Sequence, residues 1–438
     1  MKKKVAVISL GCPKNLVDTE TMVGLLKATG DVVFVDNLQD ADIILVNTCG
    51  FIQPAKEESI DEILNAIEEK KENPEKKVVV AGCLYQRYKE ELKKELPEVD
   101  SFIGTNEILS SVEKILNRKV SYSKPYLLRE ILTPKHIAYL KISEGCSNGC
   151  TYCAIPLIRG GLRSRPIDEV FDEAKRLSDL GVRELYVIAQ DTTAYLYDRG
   201  ERNGLLKLLE RLERIEGIEW IRLMYTYPSH ISDSLIDFIS NSEKVVKYLD
   251  VPLQHISDKV LSSMGRKYTR GDAEKLIEKL RRRIPGIAIR TTFIVGFPTE
   301  GEREFEELHS FIKDYQFDWV GFFKYYSEEG TVAYKLEDLP GEVKESRLSL
   351  LEETQFWIYE KKNKRLVGKE FDLIVDRESD EMPGFWEARS YRNAYEIDGI
   401  VYLKGSFKPG EIVRGKVTEL ASNVDLIAEP SNEGKEAE

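Results

Sequence analysis

The chain has 438 residues, of which 64 are basic and 76 acidic, for a formal net charge of -12. That length accommodates two to four domains with cores of their own, and the excess of acid argues against a protein whose main task is to hold naked nucleic acid. No run approaches membrane-spanning length and the apolar stretch after Met1-Lys2-Lys3-Lys4 is too short for a signal-peptide core, so a soluble cytoplasmic protein with no membrane partner is expected.

Residues 1–117 alternate strand-like and helical runs. Strands are predicted at Val5–Ser9, Val32–Val35, Ile43–Val46, Val78–Ala81 and Ser101–Ile103, with helices at Asp18–Lys27, Ala55–Glu69 and Tyr85–Glu95. This is the pattern of a doubly wound α/β domain. Cys12, Cys49 and Cys83 each fall just past the carboxyl end of a strand. In an open parallel sheet those ends share one edge, where binding crevices form. One such cysteine alone reads as a small buried residue at a turn. Three on one edge point to a shared iron-sulfur cluster, because six cysteines in a reducing compartment favour metal or redox chemistry over disulfides.

Residues 118–135, with Lys124-Pro125 and Thr133-Pro134, read as a linker. In 136–340 strands are predicted at His136–Ile142, Glu184–Ala189, Trp220–Tyr225, Tyr248–Val251, Ile287–Val295 and Trp319–Tyr325, separated by helices. Six such repeats suggest a partial (β/α) barrel with its site at the carboxyl ends of the strands. The loops there carry Gln190-Asp191-Thr192-Thr193, Tyr227-Pro228, Gln254-His255 and Gly296-Phe297-Pro298-Thr299-Glu300. His255 reads as a structural residue. Arginines and lysines cluster at Arg159, Arg163 and Arg165, at Arg266, Lys267 and Arg270, and at Arg281–Arg283. The third group suits a helix end, whereas the first two flank the loops of the site.

The end of the first barrel strand leads into Cys146-Ser147-Asn148-Gly149-Cys150-Thr151-Tyr152-Cys153. Three thiolates on one tight loop can hold three corners of an iron-sulfur cube and leave the fourth iron without a protein ligand. A zinc knuckle wants a fourth Cys or His close by, and neither His136 nor His230 completes such a spacing. Beyond the barrel, 341–369 reads as a connecting helix whose apolar residues Val343, Leu350 and Trp357, with Leu351 and Ile358, recur at sevens. Short strands over 370–430 suggest a small β-barrel, and 431–438 a polar, acidic, disordered tail.

Three cysteines on a doubly wound domain, C-x3-C-x2-C on a partial barrel, and a terminal β-barrel, in that order, resemble the radical S-adenosylmethionine (SAM) methylthiotransferase family over essentially the whole chain. Ile155-Pro156, Arg159-Gly160 and the run Ile294–Glu300 also match it, while Ser147-Asn148-Gly149 is a less usual filling between cysteines. The resemblance implies SAM and two 4Fe-4S clusters as cofactors. The SAM-binding cluster would sit on Cys146, Cys150 and Cys153, with Tyr152, Gln190, Gly296 and Glu300 as cofactor contacts. Cys12, Cys49 and Cys83 would carry the second cluster, which holds the sulfur to be transferred. The terminal barrel resembles the TRAM domain.

Within the family, Ser9–Asp18 (Ser-Leu-Gly-Cys-Pro-Lys-Asn-Leu-Val-Asp) resembles the branch that modifies an aspartate of ribosomal small-subunit protein twelve. The tRNA-modifying branch typically reads Gly-Cys-Gln-Met-Asn there. In the TRAM-like segment Phe371–Ala428, eleven acidic residues face seven basic ones, a balance that suits a basic ribosomal protein better than RNA. The implied reaction adds a methylthio group to the aspartate β-carbon, on the ribosome or an assembly intermediate, with an external electron donor and sulfur source. The alternatives are a tRNA adenosine methylthiotransferase and, from another class, a non-catalytic metal-binding module on the ribosome.

Overall fold

The computed structural model describes residues 2–431; the expected acidic tail beyond Ser431 lies outside the described residues. The first sheet contains β1 (Lys3–Ser9), β2 (Val32–Phe34), β3 (Ile43–Thr48), β4 (Lys77–Gly82) and β5 (Ser101–Ile103). All are parallel, in the order β2-β1-β3-β4-β5. Every residue of β3 is buried, because helices cover both faces of the sheet. Ile63, Ala66 and Ile67 of helix Gln53–Glu72 pack on one side, and Met22, Leu25 and Leu26 of helix Pro13–Ala28 on the other.

The helix expected from Asp18 begins five residues earlier, at Pro13, whose fixed φ suits a first helical turn. That turn buries Lys14, Asn15 and Asp18. Val17 is buried beside them and Leu16 packs against its cluster, but the buried polar residues between break the apolar periodicity that would reveal the turn. The single helix expected over Tyr85–Glu95 is two, Cys83–Arg87 and Lys89–Glu95, broken at Tyr88.

The segment after the first domain is a packed strap. Arg129 is buried between Glu20 of the first domain, at 2.8 Å, and Glu173 of the second, at 2.6 Å. A Cβ on Gly24 would lie 1.9 Å from the Leu128 carbonyl oxygen, so the strap presses directly on the helix backbone.

The central sheet follows the expected strand-helix alternation. It has β6 (Ile137–Lys141), then a short antiparallel ribbon of β7 (Ser143–Glu144) and β8 (Arg163–Ser164). After these come β9 (Glu184–Ile188), β10 (Trp220–Leu223), β11 (Val245–Asp250), β12 (Ala288–Val295) and β13 (Trp319–Lys324). Six parallel strands in the order β13-β12-β11-β10-β9-β6 form the partial barrel. The outer helices cover its convex face through one continuous apolar core.

Helix Gly341–Lys364 lies along β13. Its packed side is only partly the one expected: of the apolar set, Leu351 and Ile358 are buried, but Leu350 and Trp357 are exposed. The remaining buried positions are polar, with Arg347 bonded to Glu300 and Lys344 to the Tyr325 carbonyl, which an apolar count cannot register.

The terminal strands β14 (Glu370–Glu378), β15 (Phe385–Arg389), β16 (Val401–Lys404), β17 (Ile412–Leu420) and β18 (Leu426–Pro430) close into a small barrel. Its segment 390–399 packs against the inner face of the central sheet, toward the amino ends of the strands, where Tyr186, Tyr248 and Trp319 form a cluster with Ala394. Arg389 pairs there with Asp376 at 2.6 Å and Glu184 at 2.7 Å, and Arg290 with Asp398 at 2.7 Å. Arg222 bonds both Glu184 and the Tyr391 carbonyl. Among the described residues no helix is long and apolar enough to cross a membrane.

Candidate active site

Cys12, Cys49 and Cys83 follow β1, β3 and β4, three neighbouring strands, so the sheet order itself brings their loops together. The approach is tight. A Cβ on Gly11, which has φ +85°, would lie 2.8 Å from the Cys49 Cβ. Asn15 donates to the Leu10 carbonyl at 2.7 Å and the Thr48 carbonyl at 3.3 Å, while Asn47 donates to the Asn15 carbonyl at 2.9 Å. These bonds tie the first two loops to one another.

Arg159 reaches this edge from the barrel. It is 1% exposed and bonds Asp18 at 3.0 Å, Glu144 at 2.8 Å and the Cys83 sulfur at 3.3 Å. Lys141 pairs with the same two carboxylates. Although burial opposes ionisation of Glu144, Lys141 and Arg159 hold its carboxyl well below the ordinary range. Burial pushes the Cys83 thiol up to about 12, with Arg159 pulling the other way.

The Cys146–Cys153 loop is clamped from below. The Thr151 amide donates to the Met264 carbonyl at 3.0 Å and its hydroxyl to the Ser263 carbonyl at 2.7 Å. Gly145, with φ +75°, lies so close to Gly161 that a Cβ would fall 2.2 Å from its carbonyl oxygen. Arg266 stands against this set as Arg159 does against the other. It approaches the Cys150 sulfur at 3.6 Å, donates to the Pro252 carbonyl at 2.7 Å and lies over the Tyr227 ring. Burial raises the Cys146 thiol to about 11 and the Cys153 thiol to about 12. A coordinating metal reverses that tendency, since a thiol bound to a metal is deprotonated.

All six cysteines line one cavity of about 470 Å³ between the first domain and the carboxyl ends of the barrel strands. Among the described residues no three His, Cys, Asp or Glu side chains converge on a single metal-ion position. A cube distributes its thiolate ligands over separate irons, so thiols spread around a cavity wall fit it.

Of the expected cofactor contacts, Tyr152 and Gln190 line the cavity. Gln190 donates from Nε2 to Glu144 at 3.0 Å, which leaves its buried Oε1 without a partner. That orphan acceptor fits the ammonium of an amino acid such as SAM. Gly296 and Glu300 are not among the lining residues. Glu300 is buried and bonded to His255 at 2.9 Å, the Gly296 amide at 2.9 Å and Arg347 at 2.6 Å; a buried carboxylate needs such partners, and through them it braces the loop. His255 accordingly is structural. From the first two basic groups only Arg159 and Arg266 enter the cavity wall; Arg163 bonds Asn106 and Arg270 bonds Glu274.

Three further lining residues stand out: Tyr225 and Lys14, which the sequence reading of the site did not name, and Gln254, which it placed in a loop of the site. Tyr225 and Gln254 sit at strand ends with φ +59° and +68°, backbone strain of the kind that gathers at functional sites. The Asp250 carboxylate accepts the Tyr225 amide at 2.9 Å and so holds that conformation. The Tyr225 ring lies beneath Lys14, the third, whose ammonium is 3.2 Å from the ring centroid.

A parallel partial barrel with a three-cysteine loop at its open end and an orphan polar group beside it defines a radical SAM enzyme. Residues 140–312 match the radical SAM superfamily, 4–104 match a family described as uncharacterized protein family UPF0004, and 367–430 match the TRAM domain. Among solved structures, the radical SAM methyltransferase TsrM from Kitasatospora setae aligns with TM-score 0.54 at 15% identity, over 74% of this chain and 73% of that one. The cobalamin-dependent SAM radical enzyme OxsB aligns with TM-score 0.54 at 14% identity, over 82% of this chain and 58% of its own. Both likenesses concern the fold. The sequence relatives are far nearer. The ribosomal protein uS12 methylthiotransferase RimO of Aquifex aeolicus is 49% identical, over 95% of each chain, and that of a Sulfurihydrogenibium species 46% identical, over 97% of this chain and 99% of its own. The chain belongs to the RimO family of radical SAM methylthiotransferases.

Proposed function

We propose that this protein attaches a methylthio group to the β-carbon of an aspartate in ribosomal protein uS12. The observation that carries the reading is the single cavity onto which both sets of three cysteines open. Cys146, Cys150 and Cys153 would hold the cluster that binds SAM, and Cys12, Cys49 and Cys83 a second one. Bound there, the clusters and SAM supply the radical and the sulfur that an unactivated C–H bond requires and no acid or base side chain provides.

The chain's own residues prepare the space. Arg159 and Arg266 set positive charge against a sulfur of each set. Tyr152 and Gln190 would flank SAM, the amide through its orphan oxygen. Phe51, Ile52, Ile155 and Ile158 give the wall an apolar character that keeps water from a reactive intermediate.

The functional units are 1–117, 136–340 and 370–430, joined by 118–135 and 341–369. In the last, seven acidic side chains of the segment 371–428 are exposed against five basic ones, a surface suited to a basic ribosomal protein met on the ribosome or an assembly intermediate. The setting is the cytoplasm, where an external electron donor and a sulfur source serve the clusters. Mass spectrometry of uS12 and of bulk tRNA from cells with and without this chain tests the reading. A gain of one SCH2 unit on uS12 that depends on the chain is expected; a gain on tRNA adenosine with uS12 unchanged would overturn it.

A further inference from the structure

We propose that Lys14 is a carboxylate-binding subsite of the cavity, and that it makes the enzyme prefer an aspartate to a neutral side chain. Lys14 lies in the first turn of helix Pro13–Ala28, two residues beyond Cys12, and is 8% exposed. Its ammonium rests on the face of Tyr225 and lines the cavity, with no hydrogen bond or ion pair to any described residue. An aromatic face stabilises a cation without neutralising it. The other cations of the wall are occupied. Arg159 is paired with Asp18 and Glu144, Arg266 with the Pro252 carbonyl and the Tyr268 hydroxyl, and Lys324 with Glu345. Glu328, the one carboxylate of the wall, is held by Lys56 and Arg87. Among the described residues Lys14 is therefore the buried cation of the wall that makes no hydrogen bond or ion pair, its pKa lowered by burial while Cys12 and Asp250 nearby pull it up.

The chemistry of the substrate supplies the counterpart. The β-carbon of an aspartate carries its carboxylate directly, so a reacting carbon brought between the two cysteine sets brings that charge with it. A carboxylate entering a largely apolar cavity unpaired is strongly disfavoured, whereas one meeting a preplaced ammonium is not. An asparagine at the same place makes no such pair and leaves Lys14 buried and uncompensated. Lys14 stands beside Cys12, in the set to which the transferable sulfur is assigned, which puts the cation next to the sulfur rather than at the SAM end.

The subsite rests on the uS12 aspartate being the substrate, and the test separates the two ideas. Reconstituted enzyme, wild type or carrying Lys14→Met or Lys14→Arg, is given uS12 with either aspartate or asparagine at the target position, and affinity and methylthiolation rate are measured for each pair. The wild type is expected to favour the aspartate substrate by about thirtyfold, the scale of losing one partner of a buried charge pair. Lys14→Met should erase most of that preference and Lys14→Arg keep it. A preference that survives in Lys14→Met, or a loss in that variant equal for both substrates, overturns the subsite while leaving the reaction intact. So does a Lys14→Met defect traced wholly to weaker SAM binding. A wild-type enzyme that leaves the aspartate substrate unmodified removes the proposed reaction itself, and the subsite with it.

Discussion

The two ends of the barrel handle polar groups in opposite ways. Toward the amino ends of the strands, the buried Arg389 and Arg222 and the half-buried Arg290 pair their charges with Asp376, Glu184 and Asp398, although Arg222 Nη2 and His136 Nδ1 keep no hydrogen-bond partner. At the carboxyl ends, Lys14 and the Gln190 oxygen are left without partners and Tyr225 and Gln254 are held in strained backbone. A closed account of charges is what a scaffold needs, while open valences mark groups kept for something that arrives later. Stability is thus expected to reside at one end and chemistry at the other, and the two should separate under mutation.

The sharpest break of that division is at the cysteines. With two cubes the reconstituted enzyme should hold about eight irons. Replacing Cys146, Cys150 and Cys153 together by alanine should leave about four irons and abolish SAM cleavage. Replacing Cys12, Cys49 and Cys83 should also leave about four, abolish methylthiolation and preserve 5'-deoxyadenosine formation. Full iron retention in the second variant would refute the assignment of that set. Neither variant should lower the unfolding midpoint of the metal-free protein by more than a few degrees.

At the other end Arg389→Met should do the converse, costing about 3 kcal/mol of stability because it takes a cationic partner from each of two buried carboxylates, Asp376 and Glu184. Iron per folded molecule should not change. Acid should act at the same place. Burial resists ionisation of Asp376, but Arg389 and His136 hold its pKa below the ordinary 3.8. Its contribution is therefore fully present above that value and is lost as pH falls through the lower folded pKa. Hydrogen exchange of metal-free protein between pH 5 and pH 2, at positions in β15 and β9, should show this loosening, and Asp376→Asn should flatten it. The smallest effect is expected on the outer surface. Reversing the exposed Glu378, Asp380 and Glu381 to lysine should slow association with uS12 a few-fold, less so in salt, and leave SAM cleavage as it was.

Legibility in the sequence follows the same geometry. The Cys146–Cys153 loop is local, so its spacing alone carries its chemistry. The other three cysteines are distant in sequence, yet each is tied to a strand end, and the strand order brings them together. What spacing cannot supply is the docking of one domain on the other, which turns two sets of thiols into one cavity. Hence Arg159 and Arg266 could be grouped with their sequence neighbours but not singled out from them. Lys14 stood in a recognised run with nothing to say where its ammonium points. The partners of Glu300 were out of reach of the sequence for a related reason: they are Arg347, from the connecting helix, and His255, from another strand end. Polar packing also hid the true face of helix Gly341–Lys364 and the start of helix Pro13–Ala28.

The loop 390–399 fills the concave side of the central sheet instead of resting beside it, and ion pairs fasten it there. These contacts join the small barrel to the large one and set the span from the acidic surface to the cavity. A partner held by that surface delivers to the cysteines whichever residue lies at that span from its own anchoring point. Under the proposed docking of uS12 on that surface, the target would be set by reach, so that lengthening the substrate loop by one residue would shift which side chain is offered.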